Sequence, residues 1–213
     1  MKGIVCVLIG YLIGTVNPSY WIAKGRGVDI REKGSGNAGA SNALIIFGKA
    51  IGVLCALLDI AKAVLAIWLT ETMFPTFAPA FALTGVACVL GHIFPFYMGF
   101  RGGKGLACLG GMILRYDWRV FLVMLGGEIL VAVITNYICF VPLSASLVFP
   151  AVYGIMSHDW IGTVILLSMA PIIFWKHREN LSRIRQGTEA RFSMLWNREK
   201  EEERLRGKYE GKL

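Results

Sequence analysis

Residues 91–115 read GHIFPFYMGFRGGKGLACLGGMILR, and the topology of the chain turns on the second half of that stretch. Positions 106–114 are apolar apart from glycine. That run is about half of the ~20 residues a helix needs to cross a bilayer. Arg101 and Lys104 stand on one side of it, Arg115 and Arg119 on the other. Whether it is a crossing has to be decided by the charges elsewhere in the chain.

Six longer apolar segments surround it, at about residues 3–23, 44–69, 78–97, 120–134, 137–155 and 160–175. Hydrophobic residues make up 55% of the 213 and charged ones only 17%; mean hydropathy is +0.58. A soluble domain carries roughly 25% charged residues. The excess of apolar residues lies in runs of spanning length, which makes lipid the solvent and the helix the element. The loop holding Lys24, Arg26, Arg31 and Lys33 is basic, and residues 71–76 contain no Lys or Arg. Arg101 and Lys104 are basic again, as is the chain after Trp175. Basic loops face the cytoplasm. All four segments obey that rule only if 106–114 crosses. The expected fold is therefore an all-α integral membrane protein of about seven transmembrane helices. One is a short fourth span, the N-terminus is outside and the C-terminus is cytoplasmic. Arg115 and Arg119 then lie on the outer face, against the bias. The first segment has no small-residue cleavage site and is broken by Asn17 and Pro18, so it reads as a retained span.

The net charge of +8 raises the question of nucleic acid. The cations lie between and after apolar runs, with no basic patch interleaved with aromatics, so no nucleic-acid partner is expected. Cys6, Cys55, Cys88, Cys108 and Cys139 lie in or beside apolar runs without zinc-ligand spacing. They read as small packing residues, and no metal is expected. Two regions follow: a transmembrane domain at 1–189 and a charged cytoplasmic helical tail at 190–213. In the tail, Glu202 and Arg206 are four apart, and Phe192, Leu195 and Trp196 form a small apolar face. The tail is a solvated helix or a docking site for a protein partner or anionic lipid.

Three polar segments interrupt the apolar pattern on the same expected side. GSGNAGASN, at 34–42, precedes a helix and offers backbone amides from Gly34, Gly36 and Gly39, with Ser35, Asn37, Ser41 and Asn42 as side-chain donors. Taken alone it is equally a turn between spans. In GFRGGKG, at 99–105, Arg101 and Lys104 neutralise phosphate while Gly102, Gly103 and Gly105 let backbone approach it, though without P-loop spacing. In KHRENLSR, at 176–183, His177 and Asn180 are three apart on one helical face, and His177 is a candidate general base, although taken alone the stretch reads first as a basic flank that anchors the span. His92 is read as a satisfied structural group. Asp59 and Lys62, three apart in an apolar run, are read as an internal pair. Two phosphate-friendly loops and one base at a membrane face suit transfer between a phosphorylated small molecule and a lipid-soluble group.

GSGNAGASN, GHIFPFYMGFRGGKG and KHRENLSRIRQGTE occur in this order over nearly the whole chain, which thereby resembles the bacterial acyl-phosphate-dependent glycerol-3-phosphate acyltransferases, the PlsY family. The resemblance implies seven spans in the bacterial cytoplasmic (inner) membrane and neither metal nor cofactor. It implies acyl transfer from acyl phosphate to the 1-hydroxyl of glycerol 3-phosphate, giving lysophosphatidic acid for phospholipid synthesis. By position, Ser35, Lys104, His177 and Asn180 would be catalytic. Gly34, Gly36, Asn37, Gly39, Asn42, Arg101, Gly102 and Gly103 would bind substrate. The departures are Ile45 and Ile46 where the family has Arg nearby, Asn136 in place of Arg before Tyr137, and Cys139 in place of Ser. Two absent cations keep open a sugar or glycolipid hydroxyl as acceptor, or a non-catalytic membrane subunit.

Overall fold

The structure is a computed structural model that describes residues 1–197, 199–201 and 203–205. The described residues form helices joined by turns, with no strand among them. α1 (Lys2–Thr15) ends where Pro18 removes a backbone donor, and α2 (Pro18–Gly25) restarts with proline in its first turn. Asn17 caps α2, its Oδ1 accepting from the Tyr20 N–H at 2.9 Å. The run expected at 44–69 divides in two: α3 (Ala40–Phe47) and α4 (Lys49–Met73). Gly48 makes the break at φ +90°, a conformation closed to side-chain-bearing residues.

α5 (Ala80–Ile93) is the most enclosed of the long helices. Gly10 and Gly14 of α1 let that helix ride directly on the Thr84 and Cys88 carbonyls of α5, the close approach small residues permit between membrane helices. α6 (Leu106–Tyr116) is followed by α7 (Trp118–Thr135), α8 (Phe140–Ser157), α9 (Trp160–Leu167) and α10 (Met169–Arg185). The segment expected at 160–175 continues ten residues further, so His177 and Asn180 ride on a helix whose far end is in the membrane. Among the described residues, six helical stretches are long and apolar enough to span a bilayer: Lys2–Gly25, Lys49–Met73, Ala80–Met98, Trp118–Thr135, Phe140–Ser157 and Trp160–Arg185. The 11 residues of α6 rise only ~16 Å.

The molecule has two unlike flanks. On one, the Arg115 guanidinium meets Glu71 at 2.5 Å. There Phe81, Tyr116 and Tyr153 cluster with ring centroids 5.1–5.6 Å apart. Trp68, Trp118 and Trp160, each more than half exposed, mark its rim. The opposite flank carries Trp21 and Trp175, which contact Tyr97 and Phe94, and the polar segments at 34–42, 99–105 and 176–183. All five cysteines are buried and unpaired.

Candidate active site

The first polar loop is built around Asn42. Its carboxamide is fully buried, accepts from the Ser35 N–H at 2.8 Å and donates to the Ile30 and Lys33 carbonyls at 2.8 and 3.0 Å. Every polar atom of that side chain is spent on the loop, so Asn42 shapes the site rather than facing a substrate. The Ala38 carbonyl of the same loop accepts from Asn17 Nδ2 at 2.8 Å. Ser35 and Gly36 are exposed, and Asn37 is half-buried. The Gly36 amide donates to the Lys33 carbonyl and the Asn42 amide to the Gly39 carbonyl, whereas the Ala40 and Ser41 amides at the start of α3 have no intrahelical acceptor.

The second loop departs from the sequence expectation. The Gly102 and Gly103 amides do not point outward: they donate to the Ile93 and His92 carbonyls, each at 3.1 Å. These glycines serve close packing instead. A Cβ on Gly103 would lie 2.0 Å from His92 Nε2, a contact no side chain survives. The amides left open here belong to the first turn of α6, immediately after Lys104. Gly103 also lies beside Gly39 of the first loop, whose added Cβ would be 3.9 Å from the Gly103 Cα. Arg31 ties the loops a second time, paired with Asp29 at 2.6 Å while donating to the Met98 carbonyl at 2.7 Å. Arg101 is exposed on the same flank.

The third segment joins through Lys104, whose Nζ donates to Asn180 Oδ1. Asn180 Nδ2 donates to Glu189 Oε1 at 2.5 Å, and Arg183 Nε donates to Glu189 Oε2 at 2.6 Å. An unbroken polar chain thus runs from the second loop through α10 to the turn beyond it. Burial lowers the Lys104 pKa from the ordinary lysine range, assisted by Arg183 and opposed by Glu189. His177, one turn before Asn180, is buried; its Nδ1 lies 2.8 Å from the Ile173 carbonyl. A carbonyl only accepts, so Nδ1 carries the proton and Nε2 is the nitrogen left for a substrate.

Of the residues expected to act, Ser35, Lys104, His177 and Asn180 lie in the three segments that meet on one flank. Glu189, Arg31 and Asn17 received no role from sequence. Glu189 stood inside the third quoted stretch, but its partner Asn180 is nine residues away and only the folded turn shows the bond. Ile45 is 42% exposed and contributes no polar group to the site. Asn136 has a different use: in left-handed conformation, its carbonyl and Oδ1 accept from the Phe192 and Ser193 N–H groups at 2.8 and 2.9 Å. The buried Cys139 thiol is pushed up to about 11 by burial and by Glu189. Arg204 donates to the Gly187 and Glu189 carbonyls and to the Glu201 carboxylate, so the described part of the tail lies back on this flank. The Glu202–Arg206 pair lies outside the described residues.

A family model described as glycerol-3-phosphate acyltransferase matches residues 4–187. A Lactiplantibacillus plantarum protein named glycerol-3-phosphate acyltransferase is 32% identical over 202 residues, covering 93% of this chain and 97% of its own. A Thermotoga maritima protein named glycerol-3-phosphate acyltransferase 2 is 36% identical over 189 residues, covering 88% and 95%. A crystal structure of PlsY (YgiH), described as an integral membrane glycerol 3-phosphate acyltransferase in its glycerol 3-phosphate form, superposes with a TM-score of 0.83 at 30% identity. It covers 92% of this chain and 98% of that one. The lysophosphatidic acid form of the same protein gives 0.80 at 29% identity, covering 92% and 97%.

Proposed function

This chain belongs to the glycerol-3-phosphate acyltransferase family, and from that membership we propose that it moves the acyl group of a membrane-held acyl phosphate onto the 1-hydroxyl of glycerol 3-phosphate. It is a multi-pass membrane acyltransferase whose product is lysophosphatidic acid. The observation that carries the residue-level reading is the meeting of three polar segments on one flank, through the approach of Gly39 to Gly103 and the Lys104–Asn180–Glu189 chain.

Acyl phosphate is already activated, so the site has to orient two anions and stabilise the charge that develops. Lys104 and the open amides of α3 and α6 neutralise phosphate. Glu189 holds the Asn180 carboxamide so that Oδ1 faces Lys104. Ser35 and Asn37 supply polar side chains from the first loop. The acceptor oxygen forms a bond to the acyl carbon, the acyl C–O bond to phosphate breaks, and inorganic phosphate leaves with that electron pair. The proton of the acceptor hydroxyl goes to His177 Nε2 or to the departing phosphate. Arg101 adds charge at the rim. Asn42, Gly102 and Gly103 act by holding the loops in shape.

The proposed topology has seven crossings, with α6 as the short fourth, the N-terminus outside and the C-terminus in the cytoplasm of a bacterium. It is supported by the two flanks: the ends of α4 and α6 meet at Glu71–Arg115, while α6 begins beside Lys104. An 11-residue crossing is tolerable because α4, α5, α7 and α8 pack around it. The acyltransferase domain is taken as 1–189 and the tail as 190–213. A protein partner for the tail finds no support, since Glu201 and Arg204 are engaged with the Arg191 amide and the Gly187 and Glu189 carbonyls. The relatives described above favour glycerol 3-phosphate over a sugar hydroxyl.

The test is phosphate release from acyl phosphate by the purified protein in liposomes, with glycerol 3-phosphate, glycerol or a hexose as acceptor. Release matched by lysophosphatidic acid only with glycerol 3-phosphate is expected. Equal release with all three acceptors would overturn the assignment.

A further inference from the structure

Asp59, Lys62 and His92 lie within the membrane-spanning part, outside the polar chain described above. We infer that they form a positioning cluster that sets the distance between the two phosphate-binding loops; this rests on the proposed function for its kinetic consequence, not for its geometry. Lys62 Nζ lies 2.7 Å from Asp59 Oδ1, 3.0 Å from His92 Nδ1 and 2.5 Å from the Val16 carbonyl. The ammonium donates to the Val16 carbonyl, hydrogen-bonds the His92 ring and forms an ion pair with Asp59, whose Oδ1 also lies 3.3 Å from His92 Nδ1, so the cluster ties three elements together. Asp59, His92 and Cys108 also bring potential metal-ligand atoms within 4.8 Å of one another. The ammonium supplies the positive charge among them.

Both loops hang from this point. Val16 is the residue at the α1–α2 break, and its neighbour Asn17 holds the Ala38 carbonyl of the first loop. Tyr97 secures the same break by donating to the Thr15 carbonyl at 2.6 Å. His92 holds the second loop twice, through its carbonyl to the Gly103 amide and by its ring against the Gly103 Cα. Lys62 therefore joins the support of one loop to the support of the other, and the loops approach each other at Gly39 and Gly103. A buried ion pair is a poor way to gain stability, since desolvation offsets most of the attraction. A three-way clamp with fixed geometry accounts for its presence better than stability does.

The experiment separates geometry from charge balance. Lys62→Met leaves Asp59 uncompensated, so it is paired with Asp59→Asn/Lys62→Met, which removes both charges. Thermal midpoint in detergent, KM for glycerol 3-phosphate and kcat are measured for each. Expected is recovery of the midpoint in the double variant with KM still raised tenfold or more and kcat changed much less. Recovery of both midpoint and KM would overturn the inference. If the double variant does not recover its midpoint, His92→Gln and His92→Leu decide. Gln keeps an acceptor for Lys62 and retains a near-normal KM, whereas Leu raises it; equal KM values would overturn the inference. A readout independent of catalysis uses spin labels at the exposed positions of Lys33→Cys and Phe100→Cys. Their separation is expected to shift or broaden in the double variant. An unchanged distribution would reject the cluster's role even if acyl transfer is confirmed. A changed one would stand even if acyl transfer is not found.

Discussion

Lys104 is the residue on which the site's electrostatics depend, because it is a cation partly withdrawn from water with one carboxamide partner. A charged hydrogen bond to phosphate contributes about 1.5–3 kcal/mol, so Lys104→Ala should lower kcat/KM roughly tenfold to a hundredfold in a phosphate-release assay. Burial lowers its pKa, and lysine loses its proton as pH rises, so the alkaline fall in substrate affinity should begin below the ordinary lysine range. Lys104→Arg, permanently charged, should remove that alkaline limb; KM against pH for both proteins is the measurement. Lys104, His177 and Asn180 drew notice in sequence because polar groups at the end of an apolar run demand a reason, and the structure joins Lys104 to Asn180. Gly102 and Gly103 were legible as glycines but not in their role. A sequence cannot say whether an amide is open or already spent, and here both are spent on the end of α5. Glu189 was illegible for the same kind of reason: its meaning is a bond made across a turn.

Among the elements, the α1–α2 break does more than interrupt a span. Asn17 is fully buried and satisfies both the start of α2 and the Ala38 carbonyl. Asn17→Ala removes a helix cap, at about 0.5–2 kcal/mol, and strands a buried carbonyl, at about 1–3 kcal/mol. A loss of roughly 2–4 kcal/mol should appear as a lower thermal midpoint in detergent, with a raised KM for glycerol 3-phosphate. The Asn-Pro pair announced an interruption, and the structure adds what the interruption holds. The division of α3 from α4 at Gly48 was missed, because apolar runs flank it on both sides and only Gly48, followed by Lys49, marks the corner. The extent of α10 was also missed, since hydropathy stops at Trp175 whereas the helix continues in polar sequence to Arg185.

For the whole molecule, length and apolar patterning gave the class of fold, and the proposed parity rests on reading the short α6 as a crossing. The proposed orientation is testable with a membrane-impermeant thiol reagent on intact cells. Cysteine introduced at Lys2 or Thr76 should react from outside, and cysteine at Lys33 or Arg178 only after the membrane is opened. Labelling of both ends from outside would reject a seventh crossing. The two unlike flanks also have a consequence for traffic. The flank at Glu71 and Arg115 is closed by that ion pair and by the Phe81–Tyr116–Tyr153 rings, whereas α3 and α6 begin on the other flank. The enzyme is therefore no conduit. On the proposed orientation, each lysophosphatidic acid enters the inner leaflet, on the side where glycerol 3-phosphate is met, and any share of it in the outer leaflet has to be flipped there by another agent.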